Sequence, residues 1–290
     1  LYSSAASDVY KRQDCPHHYR FAEPGESEED FATRLAESLE KLILDEGPET
    51  VAAMIGEPVM GAGGVIVPPA TYWEKVQAVL EKYDILFIAD EVICGFGRTG
   101  NMFGTETYDL RPNMMTIAKA LSSAYLPISA VLVDRKVYEA IRDNSDRIGT
   151  FGHGFTYGGH PVSAAVALET LRIYEERDVL GHVRRVMPRL QDGLRKFADH
   201  PLVGEVRGIG LVAAVELVSD KSTHENFDPA LGIGPYCAAR AQDHGLLIRP
   251  LAGDALAFSP PLVISEEEVA IMVERFGKAL DDTAAKVQSL

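Results

Sequence analysis

The sequence predicts an α/β domain followed by a small α+β domain, and three observations carry that expectation. Two short apolar runs, Ile85–Ala89 and Met114–Ala118, have the length and β-branched content of buried strands in a sheet covered on both faces. Segments with helical period alternate with such runs through the first 177 residues. After Arg177 the pattern changes to charged helices interleaved with short strands, so a domain boundary is placed there.

Taken in order, residues 1–13 (LYSSAASDVYKRQ) read as a linker or junction and are set aside from the fold. Ser27 and Asp30 form a capping-box pattern ahead of Phe31, Leu35, Leu39, Leu42 and Ile43, an apolar helical face that Gly47-Pro48 stops. Val51–Ile55 reads as a strand, and Glu57-Pro58 opens a loop containing Gly61, Gly63 and Gly64. Pro69–Tyr83 is an amphipathic helix feeding the strand at Ile85. Only nine positions separate Lys119 from Ile128, too few for a helical crossover, so Ile128–Val133 should run antiparallel beside or close to the preceding strand. Lys136–Asn144 reads as helix, Phe151–His160 as a loop, and Val162–Arg177 as the helix leading out of the first domain. Beyond it come a helix at Arg184–Ala198 and a strand at Leu211–Leu217, opened by Gly208-Ile-Gly210. A helix at Ile233–His244, strands at Leu246–Ile248 and Ala255–Phe258, and a capped helix from Ser265 to Leu280 complete the chain.

Composition excludes several function classes. A net charge of −15 with no Lys/Arg cluster argues against a nucleic-acid partner. No run is apolar for long enough to span a bilayer, since the best candidate, Val51–Pro69, carries Glu57 and three prolines. Three widely spaced cysteines, Cys15, Cys94 and Cys237, suggest reduced thiols and a cytoplasmic protein. His17 and His18 follow Cys15-Pro16, but no second ligand cluster stands at zinc spacing, so no metal is expected. Gly95-Phe-Gly97-Arg-Thr-Gly100 matches the dinucleotide pattern G-x-G-x-x-G. It lies five residues past Asp90 and opens no helical period, so a nicotinamide-binding fold is rejected.

The charged ends of the two central strands carry the chemistry. Ligands of open α/β sheets collect at the carboxyl ends of strands, where Asp90 and Lys119 stand 29 positions apart. A carboxylate beside an amine is the pair a pyridoxal 5'-phosphate enzyme needs, the lysine to form the imine and the acid to keep the pyridinium nitrogen protonated. It is equally the pattern of a structural ion pair. Val92, two residues past Asp90 on an extended chain, would share its side and face a ring, whereas Glu91 would point away into structure.

The surrounding motifs decide between these readings. IADEVICGFGRTG followed by TIAKALSS resembles the class III pyridoxal-phosphate aminotransferases, the ω-aminotransferase group. The resemblance continues from about Cys15 to Ala285 through EPVMGAGG, HGFTYGGHP, VRGIGL and LIRPLAGDALAFSPPL. It implies an aspartate aminotransferase-like large domain of fold type I, represented in part by residues 14–177, and a small C-terminal domain at 178–290. In the family, chains begin well over a hundred residues earlier, and a phosphate-binding loop and a ring-stacking aromatic lie in that stretch. The chain is therefore expected to be the C-terminal part of such an enzyme.

The resemblance also assigns roles. Lys119 would carry the cofactor and, freed by the substrate amine, shuttle the proton, its basicity lowered inside the cleft. Asp90 would hold the ring nitrogen, Val92 pack on the ring, and Glu57 stand near the cofactor. Thr156, in HGFTYGGHP, would reach the partner subunit's cofactor phosphate, which implies a homodimer with shared active sites. Arg249, in LIRPLAGD, would grip the substrate carboxylate through its planar fork. Relatives acting on ornithine or 4-aminobutyrate carry a glutamate where Ala62 stands here. That departure points to amine or ω-amino acid donors with a keto acid such as pyruvate as acceptor. An aminomutase, a decarboxylase, or a non-catalytic fragment pairing with a full-length subunit remain as alternatives.

Overall fold

A computed structural model describes residues 10–290, so most of the junction expected at residues 1–13 lies outside the described residues. The chain forms two compact units. One comprises residues up to Met54 together with Pro68–Phe87, the other Ile55–Val67 and Ile88–Leu290.

In the first unit a short helix α1 (His18–Phe21) precedes α2 (Glu28–Glu46). The expected cap is present: the Ser27 side chain accepts from the Asp30 N–H, and Gly47 ends the helix at φ 88°, a backbone setting that disfavours residues with a Cβ. The buried stripe Phe31, Leu35, Leu39 and Ile43 packs against α3 (Tyr72–Lys82), which contributes Tyr72, Trp73, Val76 and Leu80. Burying each such large side chain contributes about 1.5–3 kcal/mol. At the end of α3, Lys82 and Tyr83 both donate to the Glu40 carboxylate, at 2.5 and 2.7 Å.

Strands β1 (Ala53–Gly56) and β2 (Leu86–Asp90) pass from the first unit into the second. With β3 (Met114–Ile117) and β4 (Ala130–Val133) they form a sheet in the order β1-β2-β3-β4. A short helix, α4 (Gly104–Thr107), lies between β2 and β3. β2 and β3 are parallel, with Asp90 opposite Thr116. β4 is antiparallel to β3, as the nine-residue spacing predicts. All four β4 residues are exposed, Val131 by 60 %. Helix α5 (Arg135–Ile148), capped by Asp134, an exposed segment at 151–160, and α6 (Pro161–Glu176) follow.

The rest of the second unit is built on a four-stranded antiparallel sheet, β5 (Val203–Ile209), β6 (Val212–Leu217), β7 (Arg249–Leu251) and β8 (Ala255–Phe258), ordered β5-β6-β8-β7. One face carries Ala213, Val215, Leu217, Leu256 and Phe258 into a core with α7 (Val179–Arg195), α8 (Ile233–Asp243) and α9 (Glu266–Gln288). Val183, Leu190, Phe276 and Leu280 are the fully buried anchors of that core. Ser265 and Glu268 form the expected capping box of α9, which runs on past Leu280 to Gln288.

Three expectations need correction. Gly208 does not open a strand but lies inside β5, and the turn falls at Ile209-Gly210-Leu211; mixed Glu, Arg and Gly in VGEVRGI hid a strand that buries a charged pair. Helix α7 starts at Val179 because Asp178 caps it, accepting from the Gly181 N–H. Leu246–Ile248 precedes β7, whose pairing begins at Arg249.

Candidate active site

The parallel pairing of β2 with β3 brings their carboxyl ends together. Thr116 Oγ1 donates to Asp90 Oδ1 at 3.2 Å, and the Val92 N–H donates to the same oxygen at 3.1 Å. Oδ2 accepts no hydrogen bond among the described residues, so an oriented carboxylate oxygen is left for an external donor. The chain turns directly after Asp90, so the extended geometry expected to put Val92 on the same side is corrected. Val92 is half-buried and tied to Asp90 through its amide. Glu91 is structural, as expected: fully buried, it accepts from the N–H groups of Gly104 and Thr105 at 2.9 and 2.6 Å. Burial pushes its carboxyl upward against the pull of those bonds.

Three residues past Thr116 the chain enters a 3₁₀ turn, Lys119–Ser122. Lys119 itself has φ 43°, and Ser123 and Ala124 have φ 47° and 62°. Three residues with a Cβ in the left-handed region cost roughly 1–2 kcal/mol each, a strain that surrounding structure must hold in place. Ser122 Oγ donates to the Leu126 carbonyl at 2.6 Å. The buried Tyr174 hydroxyl on α6 bonds the Ser123 side chain. The Lys119 amine is exposed and makes no ion pair among the described residues.

Glu57 completes the cluster. It follows β1, is half-buried, and accepts from the Gly61 N–H at 2.8 Å. Burial raises its carboxyl above the usual range; the Asp90 charge adds to the rise and the Lys119 charge opposes it. Asp90 and Lys119, both distant in sequence, therefore lie near enough to Glu57 to act on its carboxyl. A carboxylate with one unbonded oxygen at the end of β2 and an amine just past the end of the paired β3 are the residue types that pyridoxal phosphate requires.

Arg249 lies at the start of β7, exposed and without an ion pair among the described residues. It lines a cavity of about 500 Å³ together with Ala62, Ile93, Phe258, Ser259 and Pro260. Gly61 lines the same cavity and is the residue whose N–H Glu57 holds, so one amide links the two groups. Thr156 is exposed in the segment between α5 and α6, and the structure does not bring it to this cluster. Its neighbours Phe155 and Tyr157 line a different cavity beside β4 and α5.

The glycine-rich run Gly95–Gly100 is tied to the β5–β6 turn through Arg98. Arg98 Nη1 donates to the carbonyls of Leu211 and Pro260 at 2.8 and 2.7 Å, and the Leu211 N–H returns a bond to the Arg98 carbonyl at 2.9 Å. A Cβ on Gly210 would stand 2.2 Å from that carbonyl, so the β5–β6 turn needs glycine for close approach. Sequence reasoning missed Arg98, Tyr174 and Arg207, whose roles depend on strands and turns far along the chain. Alternating Glu205, Arg207 and Glu216 would have signalled a cross-strand ion pair once a hairpin at 203–217 was recognised.

Comparison with known proteins gives a consistent picture. Residues 5–280 match the family described as aminotransferase class-III. A gamma aminobutyrate transaminase of Solanum lycopersicum, named chloroplastic, is 58% identical over 277 residues, 96% of this chain and 53% of that protein. A mitochondrial one from the same plant is 55% identical over the same share of the chain and 54% of its own length. An omega transaminase of Pseudomonas jessenii in complex with PMP superposes with TM-score 0.92 at 58% identity, covering 94% of this chain and 60% of that one. A transaminase with L-ala gives TM-score 0.92 at 57% identity, covering 94% and 64%. The chain spans about half the length of the curated relatives it matches.

Proposed function

The chain belongs to the class-III aminotransferases, and from that premise we propose that it serves a pyridoxal-phosphate-dependent transfer of an amino group from an amine or ω-amino acid to a keto acid such as pyruvate. The observation that carries this reading is the placing of Glu57, Asp90 and Lys119 at the ends of the neighbouring strands β1, β2 and β3. Pyridoxal phosphate, when bound, supplies an electron-withdrawing ring beside the reacting carbon.

Asp90 would offer Oδ2 to the ring nitrogen and keep it protonated, while Thr116 and the Val92 amide hold Oδ1 and fix the carboxylate plane. Lys119 would hold the cofactor through Nζ. In the reaction Nζ would be the base that removes and returns the proton at the substrate carbon. Val92 would pack beside the ring, and Glu57, its carboxyl raised by burial and by the Asp90 charge, would stand near the cofactor. Arg249 binds the keto acid carboxylate, and Ala62 in the same cavity puts no competing carboxylate opposite it. That pairing, together with similarity to a transaminase solved with L-ala, supports pyruvate as acceptor. Similarity to gamma aminobutyrate transaminases supports an ω-amino acid among the donors.

The homodimer belongs to the same reading: exposed Thr156, apart from its own chain's cluster, is suited to a phosphate held by a partner subunit. Residues 14–177 would then form part of the cofactor domain and 178–290 the small domain. No helix among the described residues is long and apolar enough to cross a membrane. The free thiols of Cys15, Cys94 and Cys237 support the cytoplasm as its place of work.

Incubating the protein with pyridoxal phosphate, 4-aminobutyrate or a simple amine, and pyruvate tests the proposal. Alanine should form in step with consumption of the donor, and only when pyruvate is present. Release of carbon dioxide, or an isomerised amine formed without any keto acid, would move the activity to a decarboxylase or aminomutase.

A further inference from the structure

The second sheet carries an arrangement that the proposed chemistry does not use. Pairing registers place Arg207 of β5 opposite Ala214 of β6, Ala214 opposite Ala257 of β8, and Ala257 opposite Arg249 of β7. Directly opposed residues project from the same face, so two arginines stand at the two edges of one transverse row with two alanines between them. Three inter-strand steps of about 4.8 Å separate them by roughly 14 Å.

The alanine gap is filled by a hairpin. Met60 and Ile66 exchange backbone hydrogen bonds at 3.1 and 2.9 Å, and the Val65 N–H donates to the Gly61 carbonyl at 2.9 Å. Val65, 2 % exposed, packs on Val212 and Ala214 with Ala257 alongside. Arg207 holds the other side of the hairpin: Nε and Nη2 both donate to the Gly64 carbonyl, at 2.9 and 2.7 Å. Nη1 donates to Glu205 and Glu216 at 2.6 and 2.5 Å, which fixes the guanidinium plane. Arg207 is 9 % exposed and Glu216 4 %, with Glu205 half-buried beside them, so the guanidinium is buried with all its nitrogens bonded.

We propose that Arg207 is a positioning residue that sets the width of the carboxylate cavity, by clamping the Met60–Ile66 hairpin so that Gly61 and Ala62 face Arg249 across the alanine row. The clamp also orients the Gly61 N–H that Glu57 accepts, so one buried guanidinium acts on both the carboxylate site and the acid cluster. A lysine in its place cannot make two parallel donations to one carbonyl while holding Glu216. The inference rests on the reading that the Arg249 cavity takes the substrate carboxylate.

Arg207→Lys and Gly64→Ala attack the clamp from its two sides. The alanine Cβ would stand 3.0 Å from Ile66 Cδ1 and 3.4 Å from Arg207 Nη2, at φ 132°. Amide hydrogen exchange and calorimetric titration with pyruvate, on the cofactor-loaded protein, read the result, with Arg249→Ala as reference. Exchange at Val65 and Ile66 should accelerate at least tenfold in both clamp variants, while amides of the β6 ladder keep their wild-type rates. Pyruvate affinity should fall about five- to tenfold with them, whereas Arg249→Ala should weaken pyruvate without touching hairpin exchange. Unchanged hairpin exchange, or equal acceleration across β6, would overturn the proposal, the latter by making Arg207 a general support of the sheet. Faster hairpin exchange with unaltered pyruvate affinity would overturn it too, provided Arg249→Ala still weakens pyruvate. If Arg249→Ala leaves pyruvate binding intact, the cavity reading fails, and cavity control by Arg207 fails with it.

Discussion

Arg249→Ala offers a clean dissection of the proposed site because Arg249 contributes so little to the fold. It sits exposed at the start of an edge strand and makes no ion pair among the described residues. Truncating such a side chain changes stability by no more than about 0.5 kcal/mol. A bidentate, charge-assisted grip on a substrate carboxylate is worth roughly 1.5–3 kcal/mol, about ten- to a hundredfold in affinity. The two halves of the reaction should respond differently, since pyruvate has a carboxylate next to the reacting carbon and a simple amine has none. In single-turnover measurements, the pyruvate half-reaction of Arg249→Ala should need ten- to a hundredfold more substrate for half-maximal rate. The amine half-reaction should stay within a fewfold of wild type, with the thermal midpoint unmoved. Equal loss in both halves would refute the assignment and make Arg249 a structural residue; loss in neither would move the carboxylate site elsewhere.

Three further predictions test the acid–amine cluster. Asp90→Asn keeps an acceptor for Thr116 and the Val92 amide, so folding should be unaffected; stopped-flow proton transfer should slow about a hundred- to a thousandfold, the loss expected for about 2.7–4 kcal/mol of transition-state stabilisation. Lys119→Ala and Lys119→Gly should both lose the covalent cofactor absorbance, but glycine relieves the left-handed φ of 43°. In denaturant titration Lys119→Gly should therefore be about 1–2 kcal/mol more stable than Lys119→Ala, and equal stabilities would show that the turn is unstrained. Glu57 is raised above its unfolded value of 4.5 by burial, so the folded chain binds more protons in the window just above that pH, and stability falls as pH rises through it. Glu57→Gln should gain on wild type in thermal midpoint as pH climbs through that window, and parallel curves would sink the idea.

Legibility in the sequence followed the range of the interactions involved. Caps and stops such as Ser27, Gly47 and Ser265 act within four residues, and they were readable because a local rule suffices. The antiparallel β4 was readable from a loop too short for a crossover. Asp90 and Lys119 were proposed from strand ends and motif resemblance, and the parallel register sets Asp90 opposite Thr116, three residues before Lys119. Val92 was placed by an assumption of extended chain that fails because its own amide turns back onto Asp90. Arg98, and the grip of Arg207 on Gly64, stayed hidden because the partners there are carbonyls, and every residue carries one. Nothing in a guanidinium's own neighbourhood says that Gly64 or Pro260 will accept its protons.

The long span of those same bonds has a kinetic consequence. Arg207 closes onto Gly64 across 143 residues, and Arg98 onto Pro260 across 162. The entropy of closing such loops must be spent before either contact returns anything, which places them late among folding events. Hairpins such as β5–β6 can zip early from local pairing, leaving the 60–66 segment undocked on a nearly formed sheet. A freshly refolded sample should therefore regain helix and strand signals well before it regains a binding cavity, and ligand capture would time the last step of maturation.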